Sequence, residues 1–306
     1  MEDIEYVVKN SNFIKLNLNK LDKFIDDLST PNYVHWSKDF NLDLTEKEWI
    51  LLAFIIESMN FCFWRKPKWI IEYQNEKVSG SNALFYTIIK EVENNKDFLN
   101  LDNLNELSYE DFKSIFKGIS GECPFLEERY HNFKEVINYI NSHDFYHELY
   151  SIKTNKELLN YIVNNFNSFN DISTYKGKKI YFYKRATLLA NDLYYLSPTI
   201  KNNIHDVNNL RGCADYGIPR TFRDYGILIY NEELSNMVDN EIEIKHDSEM
   251  EIEIRANILY VIELIKEKLK NKNIIINAVE LDNVIWNMGK KMVDRSNSHH
   301  TVTIYY

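Results

Sequence analysis

Chain breakers are scarce here: 306 residues carry only 8 glycines and 5 prolines. These residues punctuate turns and strand ends, so a chain short of them runs in long helices rather than many short strands. The helical period is visible. Residues 45–60, TEKEWILLAFIIESMN, open with a Thr-x-x-Glu cap (Thr45, Glu48) and then turn apolar nearly all round, as a buried helix does. Amphipathic helices are expected over 81–93, 108–118, 125–143, 155–166, the latter part of 180–196, and 278–292. Residues 249–270 begin with a strand-like alternation, EIEI, but continue with a helical period and read as one long helix. The tail HHTVTIYY alternates and is expected as a short terminal strand. No repeat and no Pro/Gly/Ser linker divides the chain. A mainly α, single globular domain over 1–306 with at most minor β elements is therefore expected.

Bulk composition narrows the function classes. Hydrophobic residues make up 44% of the chain, so a packed core is expected. The net charge of −10 argues against a wrapped nucleic-acid partner, because phosphate contacts need a basic face. Three distant cysteines with no CxxC pair point to a reducing compartment without disulfides or a zinc site. An acidic N-terminus and the absence of a long apolar run predict a cytoplasmic protein with no membrane partner. No Walker loop, GxGxxG or GxSxG occurs, so dinucleotide, P-loop and α/β-hydrolase chemistry drop out.

Several side chains could carry chemistry. His143 and His147 are four apart and could share a helix face, although no metalloprotease pattern surrounds them. His35 sits beside Trp36 in a loop. The cluster KGKKIYFYKR interleaves Lys184, Arg185 and other cations with aromatic rings, a combination suited to phosphate and a stacked base. Seven residues after Arg185 comes Asp192, a carboxylate in an apolar helix that needs a partner; Arg185 is two turns away on the same face. In RGCADYGIPRTFRDYG, 211–226, Asp215 is either a turn or helix-cap residue or a catalytic acid, and the small residues around it leave room for close approach.

Six stretches in order, ESMNFCFW (57–64), FYKRATLLANDLY (182–194), CADYGIPRTFRDYGIL (213–228), EIEIRANILYVIEL (251–264), ELDNVIWN (280–287) and IYY (304–306), make the chain similar to the queuosine salvage protein family. These are the queuosine 5′-phosphate N-glycosylase/hydrolase enzymes. The resemblance runs from about residue 30 to the end, with 1–29 expected as an extension packed on it. It implies a fold like that of helix-hairpin-helix DNA glycosylases, no cofactor and no metal. It implies a small-molecule substrate, queuosine 5′-monophosphate, with queuine as product and no nucleic-acid partner. A monomer is expected.

The resemblance gives Asp215 the role of nucleophile or transition-state stabiliser, and His35 that of a base contact. Cys213 stands where the family has a phenylalanine that contacts the base. Asp282, Asn283 and Asn287 fall on base-binding positions, Asn287 replacing a common acid. Lys184 and Arg185 are the candidate cations for the 5′-phosphate, with Asp192 orienting a cation or water. Arg220 or Arg223 is expected to keep Asp215 ionised. Against this stand two rivals: a nucleoside or DNA N-glycosylase of other specificity, and a non-catalytic queuosine-binding protein.

Overall fold

The Glu46–Met59 helix forms as its sequence dictates. Thr45 accepts from the Glu48 N–H, and the Glu48 carboxylate takes the Thr45 N–H in return. Ile50 to Met59 are all buried. In the computed structural model, which describes residues 1–28, 31–293 and 295–306, this helix is the axis of a first hydrophobic core. The Ser81–Asn94, Leu126–Ser142, Asn155–Asn165 and Lys184–Leu196 helices contribute to the same core. The described residues hold 15 α-helices and are 58% helical, which makes the protein mainly α.

A second core surrounds the Glu249–Asn271 helix. Its alternating start is helical because Ser248 caps it, accepting from the Glu251 N–H, and because its buried acids are partnered. Glu253 takes the backbone N–H groups of Asn12 and Phe13 and the Tyr175 hydroxyl. Arg255 pairs with Asp171 and Glu251. The N-terminal segment belongs to this core: the Glu2–Lys9 helix lies on Glu249–Asn271, and Ile4, Val7 and Phe24 are fully buried.

Sheet structure is confined to two-stranded antiparallel ladders, Ile14–Leu16 with Leu228–Tyr230, Ile70–Tyr73 with Glu76–Ser79, and Ile172–Tyr175 with Lys178–Tyr181. The last lies where the sequence suggested only a break. Its turn, Lys176-Gly177, has positive φ at both residues (46° and 81°), as a tight hairpin requires. The tail is not a strand. One parallel bridge, Glu243 to His300, is its ladder contact, and the Tyr306 carbonyl accepts from the Cys62 N–H at 2.9 Å.

The two cores meet where Ala278–Lys291 packs on Lys184–Leu196, with Val279 in the first core and Ala278, Leu281 and Ile285 in the second. Within the second core Ala278–Lys291 also packs on Glu249–Asn271 and on Ile218–Asp224. The last crossing is close: a Cβ on Gly289 would collide with Thr221 Oγ1, so any larger residue there forces the Thr221 side chain to move.

Candidate active site

A cavity of about 330 Å³ opens along the seam between the cores, within the size range of small-molecule sites. The end of Glu46–Met59 contributes Glu57, and the turn after it Asn60 to Phe63. Lys184–Leu196 contributes Lys184 and Asp192. The Ala278–Lys291 helix presents Asp282, Trp286 and Lys290 at four-residue intervals, with Asn283 and Asn287 alongside. The loop before Ile218–Asp224 adds Cys213, Asp215 and Tyr216.

Both readings of Asp215 hold at once. Its Oδ1 accepts from the backbone N–H of Gly217 at 2.8 Å and of Ile218 at 3.0 Å, the bonds of an Asx turn that caps the next helix. These bonds fix the carboxylate while it lines the cavity, and Oδ2 has no hydrogen-bond partner among the described residues. The small neighbours serve the protein's own packing. A Cβ on Gly217 would lie 2.8 Å from Trp286 Cδ1, and one on Gly212 would lie 3.3 Å from Asp282 Oδ1. The space expected for a ligand at these glycines is filled by cavity-wall side chains.

The deep end of the cavity is rich in carboxyl groups. Glu57 is buried and takes the Asn60 side-chain amide at 3.2 Å; burial, and then the nearby Asp192 charge, push it up to about 8 against the opposing Lys184 charge. Asp282 accepts the Cys213 backbone N–H through Oδ2, while its buried Oδ1 has no partner among the described residues. Burial raises Asp282 well above the usual carboxylate range; the Cys213 N–H opposes this, and the Asp215 charge adds to it. The Cys213 thiol is pushed well up by burial and then by Asp282, so it is a neutral thiol and no nucleophile. Lys184 is buried among these groups.

His35 is buried but does not line the cavity. Its Nδ1 takes the Ser37 backbone N–H, so Nε2 carries the proton and donates to Asp192 Oδ1 at 3.1 Å. Its ring stacks on Tyr195 at 4.9 Å. The Asp192 Oδ2 that remains is buried without a partner among the described residues. Asp192 therefore has His35, not Arg185, as its partner.

Arg185 points away from the cavity. Its guanidinium is buried and donates to the carbonyls of Glu57 (2.8 Å), Ser58 (2.6 Å) and Ser168, packed between the Phe61 and Phe169 rings. That excludes it as the expected phosphate ligand. Arg223 is likewise committed, to Asp239 at 2.6 Å and 2.7 Å, which leaves Arg220 as the arginine that the Asp215 charge reaches. Asn283 and Asn287 lie together at the rim, 2.9 Å apart, hydrogen-bonded to each other.

The histidine pair does not form. His143 ends the Leu126–Ser142 helix, stacked on Tyr139, while His147 lies on the separate Phe145–Ser151 helix. Among the described residues one other group has metal-ligating types, His246, Asp247 and Glu251, away from the cavity. The two ring nitrogens of His246 face different carboxylates, Glu251 at 3.6 Å and Asp247 at 3.7 Å, and Arg255 also holds Glu251. Burial opposes the charged ring, but Glu251 outweighs it and holds the imidazole above its usual range, as expected of an imidazolium between acids.

The sequence reading missed Glu57, Trp286, Lys290 and Tyr306 as cavity-wall residues. Glu57 did leave a signal: it is a lone acid in the apolar run ILLAFIIESM.

A mainly α protein with an acid-lined cleft and a backbone-pinned carboxylate is the class that fold and site define. A sequence profile described as "Queuosine salvage protein" matches residues 40–306, and the chain belongs to that family. Similar proteins carry the name queuosine 5′-phosphate N-glycosylase/hydrolase. One from Sphaerobacter thermophilus is 30% identical over 82% of this chain and 80% of its own. One from Dictyostelium discoideum is 29% identical over 100% of this chain and 98% of its own. One from Mus musculus is 26% identical over 83% of this chain and 81% of its own.

Proposed function

We propose that this protein hydrolyses the N-glycosidic bond of queuosine 5′-monophosphate and releases queuine. The observation that carries the reading is Asp215: a carboxylate pinned through one oxygen by two backbone N–H groups, its other oxygen unpartnered among the described residues, in a nucleotide-sized cavity. Breaking the bond between C1′ and the base nitrogen leaves positive charge on the ribose. A fixed carboxylate beneath that carbon stabilises the charge without reorganising. Water then adds to C1′, its oxygen forming the new bond, and the departing base takes up a proton.

The base is a 7-deazaguanine and has carbon where a purine has N7, so protonation there cannot assist departure. Proton donors at the base end matter more. Glu57, raised to about 8, holds a proton at neutral pH beside the free oxygens of Asp192 and Asp282. Those acceptors suit the N–H edge of the base and its cationic amine. The net charge of −10 supports a free small-molecule substrate over duplex DNA. Among the described residues, no helix is long and apolar enough to cross a membrane.

Asp215→Asn tests the reading. Asparagine caps helices about as well as aspartate, so the fold is expected to persist, with Tm close to wild type. Queuine release is expected to fall by roughly a factor of 10² to 10³ or more. Near wild-type turnover in this variant sinks the assignment.

A further inference from the structure

The reading above needs a seat for the 5′-phosphate, and Arg185 cannot supply it. Lys184 is also poorly suited. Its ammonium is buried among Glu57, Asp282 and Cys213, with Asp192 close to Glu57. Its one charge already acts on the Glu57 and Asp282 carboxyl groups around it, which leaves little for a phosphate dianion. That end of the cavity suits the base.

A different charge pattern lies on the other side of Asp215. The Ile218–Asp224 helix, which Asp215 caps, carries Arg220; its Nε is buried with no partner among the described residues. Thr221, the next residue, packs directly on Gly289 of the neighbouring helix, next to Lys290 in sequence, and the Arg295 charge reaches both Arg220 and Lys290. Arg295 closes the group, donating from Nη1 to the Gly289 carbonyl at 3.1 Å. Lys290 lines the cavity with its Nζ 3.3 Å above the Trp286 ring, and Trp286 in turn packs on Gly217 beside Asp215. Two acids act on Arg220, Asp224 and Asp215; Asp224 has Oδ1 bonded to Ser296 and Oδ2 without a partner among the described residues, and Asp215 has Oδ1 on two backbone N–H groups. Among the described residues none of the three cations forms an ion pair. The cations depress one another: Lys290 is lowered to about 8 by burial and then by the Arg295 charge, and Arg220 is lowered by the same two causes. Such mutual repulsion is relieved when an anion binds.

We propose that Arg220, Lys290 and Arg295 form the seat of the substrate's 5′-phosphate, at the mouth of the cavity on the side of Asp215 away from the base-end carboxyl groups. The order base, ribose, phosphate along the substrate then matches the order carboxyl groups, Asp215, cations along the wall.

The proposal rests on the glycosidase reading. Its test is the ratio of kcat/KM for queuosine 5′-monophosphate to that for queuosine, measured as queuine released. Arg220→Met and Lys290→Met are each expected to lower this ratio about 10-fold or more, the loss of a charge-assisted hydrogen bond, while Lys290→Arg retains it. Lys184→Met is expected to leave the ratio as in wild type, whatever it does to the rates. Inhibition by inorganic phosphate should weaken in the two mouth variants in parallel. An unmoved ratio and unmoved phosphate inhibition in both mouth variants overturn the proposal, as does a wild-type ratio near 1. A ratio lost in Lys184→Met overturns it in favour of the buried lysine. Wild-type protein that releases no queuine from either substrate refutes the glycosidase reading itself, a distinguishable result.

Discussion

Glu57 shows how burial sets the chemistry of one residue. In the unfolded chain its carboxyl loses its proton near the ordinary value of 4.5; in the folded protein it keeps it to about 8. Between those values the folded state binds a proton that the unfolded state has released, so this group lowers stability progressively as pH rises through the window. Glu57→Gln cannot titrate and should flatten that decline. Urea unfolding at pH 5, 6.5 and 8 is expected to show a variant that gains on wild type by up to a few kcal/mol at the top of the range. An unchanged slope would mean that Glu57 is ionised in the folded state. Single residues were legible in the sequence only where a local rule applied. The Asp215 cap follows from its place before a Pro-containing helix start, and Thr45 and Glu48 announce their reciprocal bonds. That Arg185 faces the Glu57 and Ser58 carbonyls and His35 faces Asp192 depends on chain segments more than 120 residues apart. No local pattern encodes those encounters.

At the scale of elements, the end of the Glu46–Met59 helix is the decisive joint. Its last carbonyls lie inside the protein, where water cannot satisfy them. Two buried arginines do so: Arg185 takes Glu57 and Ser58, and Arg129 takes Met59 and, at 2.5 Å, Phe61. These bonds aim Glu57 and the Asn60 to Phe63 turn at the cavity. Arg185→Met should strand several buried acceptors at about 1–3 kcal/mol each, so a loss of at least roughly 3 kcal/mol is expected in urea unfolding. A loss below about 1 kcal/mol would show that the carbonyls find other partners. Helices with a clear period were legible, as at Glu46–Met59 with its Thr45 cap and at Glu249–Asn271. The hairpin at Lys176-Gly177 was not, because lysine is an uncommon residue at a positive-φ turn position. Nor was the tail, whose alternation reflects burial of Thr301, Thr303 and Tyr306 against other elements rather than a ladder.

At the scale of the molecule, the cavity belongs to neither core alone. Glu57, Lys184 and Asp192 come from helices of the first, while Asp215, Asp282 and Trp286 come with the second. A ligand that touches both walls stabilises the folded state by mass action. Asp215→Asn, which should bind substrate without consuming it, is expected to gain about 2.7 kcal/mol with queuosine 5′-monophosphate at a hundredfold excess over Kd. Differential scanning calorimetry would reveal this as a higher Tm; an unmoved transition would mean that the nucleotide does not bind across the seam. The seam also has a consequence for protease sensitivity. Parting the two halves empties the site, so a bound nucleotide must leave before either half can open to cleavage. Digestion rates at sites in both halves should then slow together as substrate saturates the protein, and cutting becomes a gauge of occupancy.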